Sequence, residues 1–140
     1  MLLAVLERRV GLKLAPHDIY AATVGGASLR TPASDLAVAI ALTSAAVNTV
    51  VPERAVAFGE VGLAGELRRV PNIGQRLSEA ARLGFTAAVI PTEPGGAPRP
   101  VPDVAGLTVM ECPDLFSALV ALRLVAQPEG RQPVELHVVG

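Results

Sequence analysis

The stretch from Leu36 to Val47 is apolar all round, with Thr43 and Ser44 its only polar side chains. Apolar residues recur at helical spacing at Leu36, Ala39, Ile40 and Ala46–Val47, and Val38 and Leu42 carry the apolar surface round the remainder. A helix of this kind needs protein on most of its sides. At 12 residues it is too short to cross a bilayer, which takes about 18–20. The chain must therefore supply other layers to bury it. Pro32 opens this helix and Asn48 lies near its end.

The material for those layers is aliphatic. Half the chain is hydrophobic (51%) and mean hydropathy is +0.46, yet aromatic residues make up only 3%. The length of 140 residues suits one domain, which buries about two-thirds of its unfolded surface. Met1–Leu6 is apolar but is followed at once by Glu7, Arg8 and Arg9. A secretory signal carries its charge before the apolar run, so a cytoplasmic protein with no membrane partner is expected. Cys112 is the only cysteine, and His17 and His137 lie far apart in sequence. No internal disulfide, thiolate zinc cluster or other metal site is expected, and Cys112 reads as a small buried residue.

Along the chain, Leu2–Val10 reads as an amphipathic helix stopped by Gly11. It has no N-cap before it, as expected of a fragment of a longer protein. Asp18–Val24 is short, β-branched and bounded by Gly25-Gly26, so a strand is expected, with Ala27–Arg30 as its hairpin partner. Ala55–Gly59 reads as a buried strand. The run EVGLAGEL, with Gly62 and Gly65, predicts a tight turn with Glu66–Arg69 returning as a strand. Asn72 is placed to cap a helix over Ile73–Leu83 that Gly84 ends. Ala87–Ile90 is a strand stopped by Pro91. The Pro- and Gly-rich run from Thr92 to Val104 is a loop, Leu107–Met110 a strand, and Asp114–Val125 a last helix with Pro113 near its first turn. Strands alternating with helices predict an α/β (α+β) domain over residues 1–126, a mixed sheet covered by helices. Residues 127–140 form a tail with a possible strand at Val134–Val139.

Net charge is −1 and the isoelectric point about 6.1, so bulk charge does not announce nucleic-acid binding. The pattern of sign says more. Lys13 is the sole lysine, and arginines gather between Arg68 and Arg82. Arginine suits bidentate contacts to phosphate or carboxylate. No Gly-Lys pair exists for a phosphate-binding P-loop, and no dinucleotide fingerprint is present.

The run GEVGLAGELRRVPNIGQRLSEAARLGFTAAVIP, from Gly59 to Pro91, resembles the second half of the Lon protease catalytic domain. Upstream, TPASDLAVAIALTSA resembles the Lon nucleophile segment and its helix. PASDLAVA together with GEVGLAGELRRVP is specifically similar to the C-terminal domain of RadA/Sms-type DNA repair ATPases. The resemblance implies a Lon proteolytic-domain-like fold, of the kind named after the second domain of ribosomal protein S5.

Lon-type hydrolysis needs a serine and a lysine neutral enough to take its proton. On this resemblance Ala33 stands at the serine position and Gly74 at the lysine position. Neither can do the chemistry, and Arg76 cannot deprotonate. Ser34 and Asp35 read as helix-capping residues. No catalytic residue and no cofactor of this domain is therefore expected. An altered dyad on Ser78 or Ser44 is the remaining enzymatic alternative.

The same resemblance implies a full-length ATPase whose ATP, Mg and Zn sites lie outside this chain, acting in branch migration as a hexameric ring on DNA. Two roles follow for this domain. One is ring assembly, with itself and the attached ATPase domain as partners. The other is sequence-tolerant contact with double- and single-stranded DNA. The candidate contacts are Arg68, Arg69, Arg76 and Arg82, then Arg30, Lys13, Arg8 and Arg9. So few aromatics argue against single-strand stacking.

Overall fold

In the computed structural model, residues 1–25, 29–93, 101–130 and 138–139 are described, together with the backbone of His137. The chain is a mixed α/β domain. Helix α1 (Leu2–Val5) continues as a wider π-helical segment, Leu6–Val10, and ends on Gly11 in the left-handed region. A 3₁₀ turn, Pro32–Ser34, leads into α2 (Asp35–Val47), which closes on Asn48 at φ 51°. Strand β1 (Ala55–Ala57) follows, then a small hairpin of β2 (Glu60–Val61) and β3 (Leu67–Arg68). Next come α3 (Ile73–Arg82), β4 (Ala87–Pro91), β5 (Thr108–Cys112), α4 (Leu115–Ala121) and β6 (His137–Val139).

The main sheet has the order β1-β4-β5-β6. The first three strands run parallel and β6 runs antiparallel to β5. Its central strand β4 is buried almost throughout, which explains its unbroken run of Ala-Ala-Val-Ile. Val89 and Cys112 point into a larger apolar core with Leu6, Leu36, Leu115 and Leu119. Ala88, Ile90 and Val109 point the other way, onto Leu77 of α3 and Val101. The sheet is thus covered by α1, α2 and α4 on one face and by α3 on the other.

Several sequence expectations are corrected by this arrangement. α2 is not buried on most sides: Leu36, Ala39, Ile40 and Thr43 are buried, while Ala37, Ala41, Ala45 and Ala46 are exposed. Alanine tolerates this because it exposes little apolar area. The Thr43 hydroxyl is satisfied by the Ala39 carbonyl at 2.8 Å. Ser34 and Asp35 do not cap α2. Ser34 donates to the Thr31 carbonyl, and the Asp35 carboxylate accepts from the Val61 N–H at 3.3 Å, tying α2 to β2. Asn72 stands before α3 in the left-handed region without a side-chain capping bond. Asp114 is the N-cap of α4, its carboxylate accepting from the Ser117 N–H at 2.7 Å, and the helix ends at Ala121, short of the expected Val125. β4 runs through Pro91, which pairs with Cys112.

Asp18–Val24 forms no strand and has no ladder partner. Much of its expected partner and of the loop 92–104 lies outside the described residues, as does the first half of the expected strand at 134–139. The part of that last strand that is described, β6, adds to the sheet beside β5.

Candidate functional site

α3 is amphipathic. Leu77 and Ala80 face the sheet, while Gln75, Ser78, Glu79 and Arg82 face out. Because β1 is the sheet's edge strand, α3 overhangs it, leaving a groove of about 630 Å³. Phe58 and Phe85 form its apolar wall, with Arg76, Arg82, Asn72 and Gln75 among the polar lining. Two of the chain's three phenylalanines therefore meet two of the candidate arginines. The Arg76 guanidinium lies 5.9 Å from the Phe58 ring centre, and its Nε donates to the Pro71 carbonyl at 3.2 Å. Arg82 forms a two-pronged pair with Glu79, at 2.8 and 2.5 Å. Hydrogen bonding from Arg82 holds the Glu79 carboxyl below its ordinary range, and Glu79 in turn raises Arg82.

The other arginines of the sequence cluster go elsewhere. Arg68, on the hairpin, is exposed and pairs with Glu66 at 2.5 Å and Glu60 at 3.5 Å. Glu66 is held below its ordinary range first by a backbone hydrogen bond and then by Arg68. Arg69, one residue on, turns inward. It donates to the Pro91 carbonyl at 2.9 Å, pairs with Glu93 at 2.8 Å and grips Glu111. With a side chain only 11% exposed, Arg69 is committed to the interior. Arg8, Arg9, Lys13 and Arg30 are all exposed, and Arg9 packs beside Gly65 at the hairpin turn. The sequence cluster is thus divided among a groove, a hairpin and the protein interior. Adjacent residues of an extended chain face opposite sides, and that alternation separates Arg68, the last residue of β3, from Arg69 just beyond it. Phe58, Phe85, Asn72 and Gln75 were not among the sequence candidates, because nothing local marks them as neighbours.

At the positions matched to a catalytic dyad, Ala33 offers its carbonyl to the Gly59 N–H at 3.1 Å, and a Cβ on Gly74 would meet Pro102 at 3.1 Å. Ser44 donates to the Thr49 carbonyl at 2.6 Å and Ser78 to the Gly74 carbonyl at 3.0 Å, so both hydroxyl protons are used locally. Burial pushes the Cys112 thiol up to about 12, assisted by the charges of Asp114 and Glu111. That is the opposite of an activated nucleophile. Among the described residues there is no cluster of ligating side chains that could hold a metal ion, and no helix is long and apolar enough to cross a membrane.

Comparison with known proteins gives these features a context. Residues 6–94 match the family described as subunit ChlI of Mg-chelatase. The chain is 47% identical over 126 residues, 90% of its length, to a protein of Mycolicibacterium smegmatis named DNA repair protein RadA. It is 46% identical over 93% of its length to the protein of that name from Mycobacterium tuberculosis, and 42% over 87% to that of Haemophilus influenzae. In each case it spans about a quarter of the relative's length (26%). The chain belongs to the family described as subunit ChlI of Mg-chelatase, and its relatives are DNA repair proteins named RadA.

Proposed function

We propose that this chain is a non-proteolytic, Lon-like domain of a RadA-type DNA repair ATPase, which contacts DNA phosphates and helps to assemble a hexameric ring. The observation that carries this reading is the 47% identity, over 90% of the chain, to a protein named for DNA repair. The ATPase domain belongs to the larger part of such a protein, which also holds the ATP, Mg and Zn sites, and is this domain's partner in the same cytoplasmic polypeptide.

The DNA contacts are assigned to Arg76 and Arg82 on the α3 groove, with Arg8, Arg9, Lys13 and Arg30 as further exposed cations. Phosphate contact without base reading suits a motor that must tolerate any sequence. Arg68 and Arg82 must exchange a glutamate for a phosphate in order to bind, which weakens their net contribution. Arg69 is left out because its charge is satisfied inside. Peptide hydrolysis is not part of this reading, since neither Ala33 nor Gly74 supplies a reactive group.

Ring assembly without DNA contact is the second reading. The net charge of −1 and the carboxylates already paired with Arg68 and Arg82 favour it. Ring closure would use two different patches on each copy, as a head-to-tail interface requires.

Fluorescence anisotropy of labelled duplex and single-stranded DNA, titrated at several salt concentrations, separates the two. DNA contact predicts binding that weakens steeply with salt and is lost when Arg76 and Arg82 become Glu. A folded chain that binds neither DNA at low salt leaves assembly as its role. Light scattering on the same samples then reads oligomeric state, and a strict monomer at high concentration counts against assembly by this domain alone.

A further inference from the structure

Among the described residues, four other than glycine have a positive φ: Asn48, Arg54, Asn72 and Arg123. Asparagine enters the left-handed region at little cost. Arg123 follows α4, where a left-handed residue commonly ends a helix, and its N–H donates to the Val120 carbonyl at 2.9 Å. Arg54, at φ 60°, stands instead in the turn at residues 52–55. That turn is closed by the Ala55 N–H on the Pro52 carbonyl at 3.3 Å. A positive φ at the third position of a turn calls for glycine. An arginine there is strained, and strain of this kind gathers at functional sites.

Among the described residues, the fold makes no use of the side chain that this turn presents. The Arg54 carbonyl accepts from the Thr86 and Ala87 N–H groups at 3.0 and 3.4 Å, which fixes the turn to the connection between α3 and β4. Any residue type could supply those backbone bonds. The guanidinium reaches Gly84, with Nη1 4.0 Å from where a Cβ would stand. It does not cap α3 there, because the carbonyls of Glu79, Ala80 and Ala81 already accept from Leu83, Phe85 and Gly84. Arg54 is exposed and, among the described residues, forms no ion pair, its neighbour Glu53 included. Arg68, Arg69 and Arg82 by contrast each hold a glutamate.

We propose that Arg54 is a DNA contact, taking a backbone phosphate just past the end of α3. This rests on the reading that the domain contacts DNA. Arg76 stands near the start of α3 and Arg82 at its last residue, about 9 Å apart along the axis. The Arg54 guanidinium continues this line of cations to Gly84. Arg82 must release Glu79 before it takes a phosphate, whereas Arg54 has no carboxylate to exchange. Its planar fork suits two phosphate oxygens at once. The fixed turn holds its backbone in place, so less has to be ordered on binding.

Arg54→Gly removes the charge and suits the turn, so the variant is expected to melt at or above the parent temperature. Its DNA binding is read by fluorescence anisotropy of a labelled duplex with the 140-residue chain, at several salt concentrations and well below the melting temperature. A phosphate contact predicts several-fold weaker binding at low salt. It also predicts a slope of log affinity against log salt that is shallower by about 0.9, the share of one phosphate. Arg54→Lys keeps the charge and should restore the slope. An unchanged slope in Arg54→Gly overturns the inference, whatever the melting temperature, and so does a slope that Arg54→Lys fails to restore. If Arg76→Glu with Arg82→Glu still abolishes binding in either case, DNA contact stands without Arg54. A folded parent chain that binds no duplex at low salt overturns both.

Discussion

Arg69 at the end of the β2–β3 hairpin and Glu111 in the middle of β5 form an ion pair with both side chains almost out of solvent, 11% and 10% exposed. The pair joins the hairpin to the main sheet. Glu93, at the root of the Pro-rich loop, and the Pro91 carbonyl complete the coordination of the guanidinium. Each of the three guanidinium nitrogens meets an acceptor, which is what makes a buried arginine tolerable.

Removing one member of this pair strands the other. Arg69→Met is expected to destabilise the chain by about 3–5 kcal/mol, the usual cost of an unpaired buried charge. Adding Glu111→Leu should recover a large part of that loss. Urea denaturation of the two single variants and the double variant checks this, and additive losses would deny the coupling.

The Asp114 carboxylate accepts from both the N–H and the hydroxyl of Ser117, each at 2.7 Å. Asp114→Ala is expected to cost about 1 kcal/mol through loss of this cap. Asp114→Asn should retain most of it. Thermal melts of both variants distinguish a cap from a simple charge effect.

At Gly62 an added Cβ would fall within 2.0–2.4 Å of the Glu66 carboxylate group, which folds over the turn. Gly62→Ala must push Glu66 outward, breaking its bond from the Ala64 N–H at 3.0 Å and its pair with Arg68. The displaced group is the end of a flexible, exposed side chain, so only a small loss of stability is expected. Glu66→Ala should cost a similar amount, and the double variant less than the sum of the two.

The buried Cys112 thiol, pushed up to about 12 from an ordinary 9.0, makes stability depend on alkaline pH. Between those values the unfolded chain loses the thiol proton while the folded chain keeps it. The folded state then binds more protons, so stability falls as pH rises. The contribution is intact below pH 9 and declines above it. Cys112→Ala should flatten this part of the pH profile relative to the parent chain. In the native state Cys112 should react slowly with a thiol reagent at pH 8 and fully once urea unfolds the chain.

Much of the order of elements was legible in the sequence. Helix starts and stops carry chemical marks at Pro32, Asn48 and Gly84, and the apolar run of β4 has no reading but burial. The hairpin was announced by Gly62 and Gly65. The failures share a cause. Asp18–Val24 has strand chemistry, but a strand exists only with a partner, and pairing is not a local property. Likewise α2 looked buried all round because the hydrophobicity of alanine does not say which face meets protein.

The sequence by itself determined the α/β class and the identity of most helices and strands. Each of these is written in residue type and spacing. Only the tertiary structure decided that Arg69 belongs to the interior, that Arg76 and Arg82 share a groove with two phenylalanines, and that β1 has no strand partner but β4 among the described residues. Those facts depend on which distant segments meet. Glu111 lies 42 residues from Arg69, and nothing local to either residue specifies the other.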